Sequence, residues 1–344
     1  MIGYYVHHQG RGHLHRAQAL AQALTRTLGE PVAGLSSLAR PRQWTGPWVD
    51  LPMDDLQKAP HDVTAGGQLH WAPVGDPGLR ARSAAVSGWI ERARPRLMVV
   101  DVSVEVALLV RLHGVPVVSA VLPGPRTDAS HLFAMRASTA LVAFSPGPAD
   151  DFSPGVPDDI TSRVTSIGAV SRFPPSSTPV GRSRSGTRRP HVVVLQGRGG
   201  GALTSRTSAE LTELAPRWRW TVLGGADGWV DDVSSVLTDA DVVVTNAGQG
   251  SIADVAAHRR PAVVIPADRP FREQETTAAV LSSPQWPALV LSSFPDTAWE
   301  ELLDRAISLD GAAWERWYDG RAPERFARLV EEHASPAARE AQPA

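Results

Sequence analysis

One arrangement recurs along the chain: a short run of β-branched residues, a glycine-rich turn, then a helical period of apolar residues. Residues 2–6 (Ile-Gly-Tyr-Tyr-Val) lead into Gly10-Arg11-Gly12 and a stretch in which Leu14, Ala17, Ala21, Leu24 and Leu28 share one helix face. Residues 191–195 lead in the same way into Gln196-Gly197-Arg198-Gly199-Gly200-Gly201 and a helix near 205–215. Residues 97–100, 115–121, 220–223, 241–245 and 262–265 read as further buried strands, and 104–112 as a helix. Strands alternating with helices build parallel sheets covered on both faces. The pattern therefore predicts an α/β chain of two doubly wound, Rossmann-like domains facing a cleft. Ligands are expected beyond the carboxyl ends of the strands, where the glycine-rich turns fall.

The break between the halves lies in Arg172-Phe173-Pro174-Pro175-Ser176-Ser177-Thr178-Pro179 and the arginines that follow, a stretch with no apolar period. This predicts an amino-terminal domain over 1–171, a linker over 172–190, a carboxyl-terminal domain over 191–335 and a frayed tail over 336–344. The charge is uneven: +1 before the linker, +5 within it and −8 after it, for −2 overall. That balance gives no general pull toward nucleic acid or an anionic membrane. The absence of cysteine excludes a thiol nucleophile, an iron–sulfur cluster and cysteine zinc sites. Lys58 is the one lysine and no Gly-Lys-Ser/Thr loop is present. No apolar run reaches the ~20 residues of an integral membrane segment, and the start lacks the basic opening of a signal peptide, so a cytoplasmic location is expected.

Three turns carry candidate chemistry. The first, from His7 to Arg16, places four histidines within nine residues around Gly10 and Gly12, and its free N–H groups suit an anion or oxyanion. Its spacing lacks the carboxylate logic of a zinc hydrolase helix. In the second, Gly197, Gly199 and Gly200 expose backbone amides and Arg198 supplies a charge suited to diphosphate. The third is Asp241-Val242-Val243-Val244-Thr245-Asn246-Ala247-Gly248-Gln249-Gly250-Ser251-Ile252-Ala253-Asp254, followed by Arg260-Pro261, a strand ending at Pro266, and Asp268 to Glu275.

This third stretch resembles the donor-binding half of GT-B glycosyltransferases, and is similar to the MurG-type enzymes of family 28 and related UDP-glycosyltransferases. Trp229-Val230-Asp231-Asp232 is similar to that family's hydrophobic-Asp-Asp segment, and Gly10-x-Gly12-His13 to its amino-terminal turn. The resemblance implies two Rossmann-like GT-B domains and sites for a nucleotide-diphospho-sugar, a co-substrate with no separate cofactor. Asp254 then holds ribose hydroxyls in place of the family's longer Glu, and the backbone of Val230 meets the base. Asn246, Gly248, Gln249, Gly250 and Ser251 form the turn and helix start that receive the phosphates. Gln274 and Glu275 read sugar hydroxyls, and His13 lies near the acceptor and the scissile bond.

Asp239-Ala240-Asp241 spells a metal-binding Asp-x-Asp, yet it precedes a buried strand and so lies opposite the ligand edge. An acceptor-side cluster of Asp101, Glu105, Arg126, Asp128 and His131 is also expected, with Asp128 and His131 in a loop. The resulting expectation is a metal-independent, inverting glycosyltransferase moving a sugar from a UDP- or dTDP-linked donor to an acceptor hydroxyl or amine. The acceptor is a small molecule or lipid-linked. His13 is the first candidate base, ahead of Asp128 and His131. The alternatives are a nucleotide-sugar hydrolase or epimerase of the same fold and a non-catalytic nucleotide-sugar-binding partner subunit.

Overall fold

The apolar runs are parallel strands, most of them buried through their length. The computed structural model describes residues 1–9, 11–176, 188–196, 206–224 and 232–334. In chain order the first elements are β1 (Ile2–Val6), α1 (Arg11–Leu28), β2 (Val32–Ser36), β3 (Trp48–Asp50) and α2 (Pro77–Ala93). Then come β4 (Leu97–Asp101), α3 (Val104–Leu112), β5 (Val117–Val121), α4 (Ala129–Ala137) and β6 (Ala140–Ala143). Short helices α5 (Ala149–Phe152) and α6 (Asp158–Thr161) precede β7 (Val164–Ser166). The second sheet is assembled from β8 (His191–Leu195), α7 (Ser208–Leu214), β9 (Arg219–Leu223), α8 (Val233–Asp239), β10 (Val242–Thr245) and α9 (Gln249–Ala257). It continues with β11 (Ala262–Val264), α10 (Glu273–Leu281), β12 (Ala288–Val290) and α11 (Trp299–Ala306), and the chain closes with α12 (Ala322–Ala334).

Residues group into two units: Met1–Phe144 with Gly155–Ile167 and Arg321–Ala344, and Ser145–Pro154 with Gly168–Gly320. The first holds a seven-stranded parallel sheet in the order β3-β2-β1-β4-β5-β6-β7. Strand order reverses between β1 and β4, where Val6 lies beside Asp101. The second holds a five-stranded parallel sheet, β12-β11-β10-β8-β9, reversing between β8 and β10. Each reversal is the switch point where an open α/β sheet binds ligands.

Local chemistry sets the helix starts. Asp76, Ser103, Asp128, Thr207 and Asp232 each accept a backbone N–H from the first turn of α2, α3, α4, α7 and α8. In α7, Glu210 returns the bond and completes a capping box. Asp128 and His131 are thus the N-cap of α4 and the third residue of its first turn, where the sequence pattern suggested a loop. A side-chain cap three residues ahead of a histidine is a helix start, and that signal outweighs the Pro123 to Pro125 stretch before it.

The division also departs from the boundaries expected from composition. Residues 321–334, read from sequence as the end of the carboxyl-terminal domain, group with the first sheet. The cause is the apolar stripe Ala322, Phe326, Leu329 and Val330, which is buried with α12 packed on α1. The Phe326 ring lies 6.4 Å from both Tyr4 and Phe144, and Arg325 Nε donates to the Ile167 carbonyl at 2.7 Å. Conversely Ser145–Pro154 joins the second unit, with Phe152 edge-on to Trp317 at 5.9 Å.

Phe326→Ala is expected to cost about 3–5 kcal/mol through the cavity it leaves beside Tyr4 and Phe144. Urea unfolding of the variant checks this. An unchanged midpoint would place α12 outside the first unit's core.

Candidate functional site

The switch point of the first sheet gathers a buried charge cluster. Asp101, the last residue of β4, is fully buried. Because β4 lies beside β1, Asp101 sits next to the turn that starts α1. His13 and Arg16, three residues apart on α1, both reach it. Arg16 grips the carboxylate twice, Nη2 to Oδ1 at 2.6 Å and Nε to Oδ2 at 3.2 Å, and its guanidinium lies 4.3 Å over the Phe144 ring. His13 Nδ1 lies 3.0 Å from Asp101 Oδ1 and 2.9 Å from Arg16 Nη2. Burial pushes the Asp101 carboxyl up, but Arg16 and His13 outweigh it and hold it well below the usual carboxylate range.

A carboxylate accepts hydrogen bonds more strongly than a neutral imidazole nitrogen does. Nδ1 faces an acceptor, Asp101 Oδ1, and a group that only donates, Arg16 Nη2: giving its proton to the carboxylate leaves the lone pair on Nε2 and makes the Arg16 approach a contact between two donors, while accepting from Arg16 puts the proton on Nε2. Nε2 makes no hydrogen bond to the described residues, and the His13 side chain is 20% exposed. With its proton on Nδ1, His13 has the form of an oriented imidazole base whose accepting nitrogen is turned away from Asp101. The His7 ring lies beside it at 5.9 Å and stacks on His8 at 4.9 Å. Burial first, then His13 and His8, lowers His7 to about 3, so it is neutral.

The other acceptor-side candidates form a separate group. Asp128 accepts from the His131 backbone N–H at 3.0 Å, His131 Nδ1 at 2.6 Å and His70 Nε2 at 2.9 Å. Burial opposes its ionisation, but these bonds hold it below the usual range. Glu105 accepts the backbone N–H groups of His70 and Trp71 at 2.8 and 3.1 Å. Arg126 donates to the Leu122 carbonyl at 3.2 Å and to His131 Nε2 at 2.9 Å. Burial leads and Arg126 adds to it in lowering His131 to about 4, against the pull of Asp128. His131 is a neutral donor here and not an available base.

His70, Asp128 and His131 each offer a ligand atom within 4.8 Å of one another. Their chemistry does not suit a metal. Arginine only donates, so the Arg126 contact takes the lone pair of His131 Nε2 and leaves a proton on Nδ1, and neither nitrogen then has a lone pair for a metal. Metal-bound histidines instead turn their second N–H toward an acceptor.

In the second unit, α9 starts at the switch point between β8 and β10 without a side-chain cap at Gly248. Backbone N–H groups of an uncapped first turn, with the positive helix end, suit phosphate. Gly248, Ser251 and Gln274 come together: a Cβ on Gly248 would sit 3.7 Å from Gln274 Nε2 and 4.0 Å from Ser251 Oγ. Gln274 Oε1 accepts from Ala267 N at 2.9 Å, and Asn246, just after β10, is buried. Gly250 has open space where a side chain would be. Gln249 opens α9. Glu275 accepts from Arg272 Nε at 2.5 Å.

Asp254 is engaged within its own unit. Its oxygens accept from Ser171 Oγ at 2.8 Å and Arg172 Nε at 3.1 Å, and burial pushes its carboxyl up against both. Asp239 and Asp241 lie at the amino end of β10, where Arg188 bridges them at 3.3 and 2.9 Å. Gly12 lies in the first turn of α1. Gly10, Gly197, Arg198, Gly199, Gly200 and Val230 lie outside the described residues, as do 177–187 of the expected linker and the 336–344 tail.

Arg16 and His70 are the site residues that motif reading misses. The i, i+3 spacing of His13 and Arg16 signals the first. No local signal marks His70, which lies 58 positions from Asp128.

Residues 227–291 match the glycosyltransferase family 28 C-terminal domain. No curated protein matches the chain. Among solved structures it is similar to glycosyltransferase VinC in complex with dTDP, at TM-score 0.65 and 16% identity over 98% of this chain and 99% of that one. It is also similar to the glycotransferase of kitacinnamycin, at 0.63 and 18% over 96% and 98%. MurG of Acinetobacter baumannii gives 0.62 and 14% over 96% and 99%. The chain has the GT-B fold of these glycosyltransferases, and its match to the family 28 C-terminal domain is confined to residues 227–291. No helix among the described residues is long and apolar enough to cross a membrane.

His131 gives a pH signature. Its folded value of about 4 lies below the ordinary 6.5, so the unfolded chain binds more protons between them. Its contribution is complete above about pH 6.5 and is lost as pH falls through 4. His131→Gln is expected to flatten the fall of thermal midpoint over that window. An equally steep fall in the variant would contradict the assignment.

Proposed function

We propose that the chain transfers a sugar from a nucleotide-diphospho-sugar, UDP- or dTDP-linked, to an acceptor hydroxyl or amine, with inversion and without a metal. The observation that carries this is the His13–Asp101 pair, with an unengaged Nε2 at the switch point of the first sheet. His13 Nε2 takes the acceptor's proton as the acceptor atom bonds to the anomeric carbon. The bond from that carbon to the diphosphate oxygen breaks, and its electron pair leaves with the nucleoside diphosphate. Asp101 steadies the imidazolium that forms. The N–H groups at Gly250 and Ser251, with Gly248, Asn246, Gln249 and Gln274 around them, receive the leaving diphosphate, and Arg198 and the Gly197–Gly200 amides add to it. VinC was solved with dTDP and a spinosyn rhamnosyltransferase with thymidine diphosphate, which supports a pyrimidine diphosphate donor. Asp254 reaches ribose hydroxyls in this reading with the lone pairs that its oxygens do not give to Ser171 and Arg172.

His13→Ala is expected to lower kcat about 10²–10⁴-fold with donor affinity held. Loss of nucleotide affinity instead would make His13 a donor contact. A panel of UDP- and dTDP-sugars read by thermal shift identifies the donor, and turnover with that donor is expected to survive excess EDTA. Activity abolished by chelation and restored by magnesium would overturn metal independence.

A further inference from the structure

Between β3 and α2 the chain makes an excursion over 51–76 at the carboxyl edge of the first sheet. It is pinned at three places. Asp54 faces the turn after β1: its Oδ1 lies 3.6 Å from His8 Nε2, and its Oδ2 lies 3.3 Å from Nε of the buried Arg82. Glu105 accepts the backbone N–H groups of His70 and Trp71, and Trp71 Nε1 donates to the Asp54 carbonyl at 2.7 Å. Gln57 N donates to Asp76 Oδ2 at 3.0 Å and Gln57 Nε2 to the Val74 carbonyl at 3.1 Å, so the two limbs lie side by side.

The polar groups of these pins are bonded within the fold, while apolar side chains beside them face water. Among the described residues seven large apolar side chains are exposed, and three stand in this excursion: Met53 at 38%, Leu56 at 58% and Val74 at 51%. They are neighbours. The Met53 carbonyl and Leu56 Cδ1 both lie against Gly78, where a Cβ would sit 2.0 and 3.0 Å from them, and Leu56 adjoins Gln57, which holds Val74. Trp71, half-buried, is bonded at Asp54, next to Met53. Single exposed apolar side chains are ordinary, whereas a contiguous set marks a binding surface. This row starts one residue from Asp54, whose partner His8 stacks on His7 at 4.9 Å, and His7 lies 5.9 Å from His13. The exposed charges from 51 to 80 are Asp55 and Asp62 against Lys58 and Arg80, so the row carries no net charge. It offers no basic cluster to an anionic bilayer and no surplus cation to a ligand's carboxylate.

We infer that this row seats the acceptor, and that the acceptor is a diffusible molecule with an apolar body and no anionic group. Met53, Leu56, Trp71 and Val74 hold the body by taking it out of water, and its hydroxyl or amine extends toward His13. The inference rests on the proposed reaction only in naming the bound molecule an acceptor.

The test uses the full chain carrying methyl-13C methionine. Of the four methionines Met98 and Met135 are buried, so the Met53 methyl signal reports on the row. The probe is 2-naphthol, an apolar alcohol that is neutral at pH 7. It is expected to shift the Met53 signal saturably and to leave those of Met98 and Met135 in place. Replacing Leu56→Ser and Val74→Ser together is expected to weaken binding about fivefold or more, with the thermal midpoint held because both side chains are exposed. Leu112→Ser, at the far end of α3, is expected to leave binding as it is. The carboxylate analogue 6-hydroxy-2-naphthoate is expected to bind about tenfold more weakly. A Met53 signal untouched by 2-naphthol, an affinity unchanged in the double variant, or equal binding of the naphthoate overturns the inference. So does a Met53 signal that responds to phosphatidylcholine–phosphatidylglycerol vesicles and not to 2-naphthol, which makes the row a membrane contact. Sugar transfer confined to anionic acceptors keeps the proposed function and overturns the inference. 2-Naphthol seated at Met53 while no sugar donor is turned over leaves the apolar seat standing and overturns the proposed function instead.

Discussion

A fully buried carboxylate is the constraint around which the first unit is organised. Asp101 ends an interior strand with no access to water, and a charge so placed is tolerated only when paired and hydrogen-bonded. The parallel register puts it beside Val6, so the partners come from the turn after β1 and the first turns of α1. Arg16 meets the need with two bonds and His13 with a third. The packing follows from this. The Arg16 guanidinium needs a flat apolar cover and finds Phe144, and Phe326 of α12 packs behind it. The carboxyl-terminal helix thereby helps complete the wall of a site more than 200 positions earlier in the chain.

The second group of polar residues works differently. Asp128 ties together α4, through His131, and the excursion between β3 and α2, through His70. Glu105 holds the same excursion by two backbone N–H groups. Every strong acceptor here is already engaged, and Arg126 fixes the proton position on His131. The group holds a loop over the carboxyl edge of the first sheet. In the second unit α9 starts on a glycine with no side-chain acceptor, whereas α7 and α8 cap themselves.

The alternation of strands and helices was legible from sequence because both sheets are parallel and doubly covered, so their strands are plain apolar runs. His13 and Asp101 were legible as separate candidates, each at the carboxyl end of a strand. Their pairing was not, since it depends on β4 lying beside β1, and strand order leaves no trace in local pattern. The placement of α12 failed for a related reason: its amphipathic stripe shows that a face is buried, but not against which sheet. Asp254 shows a third limit. Its position in the motif fits a ligand contact, while its oxygens are engaged by Ser171 and Arg172 through a chain path no spacing rule covers.

The central claim is that Asp101 holds His13 with its proton on Nδ1 and an open lone pair on Nε2. Nitrogen-15 NMR of the histidine rings at neutral pH tests it most directly, because the two nitrogens of a neutral imidazole have distinct shifts. The account predicts a protonated Nδ1 and an unprotonated Nε2 for His13, with the pattern lost in Asp101→Asn. A proton on Nε2 in the unaltered chain, with Nδ1 accepting from Arg16, would contradict it.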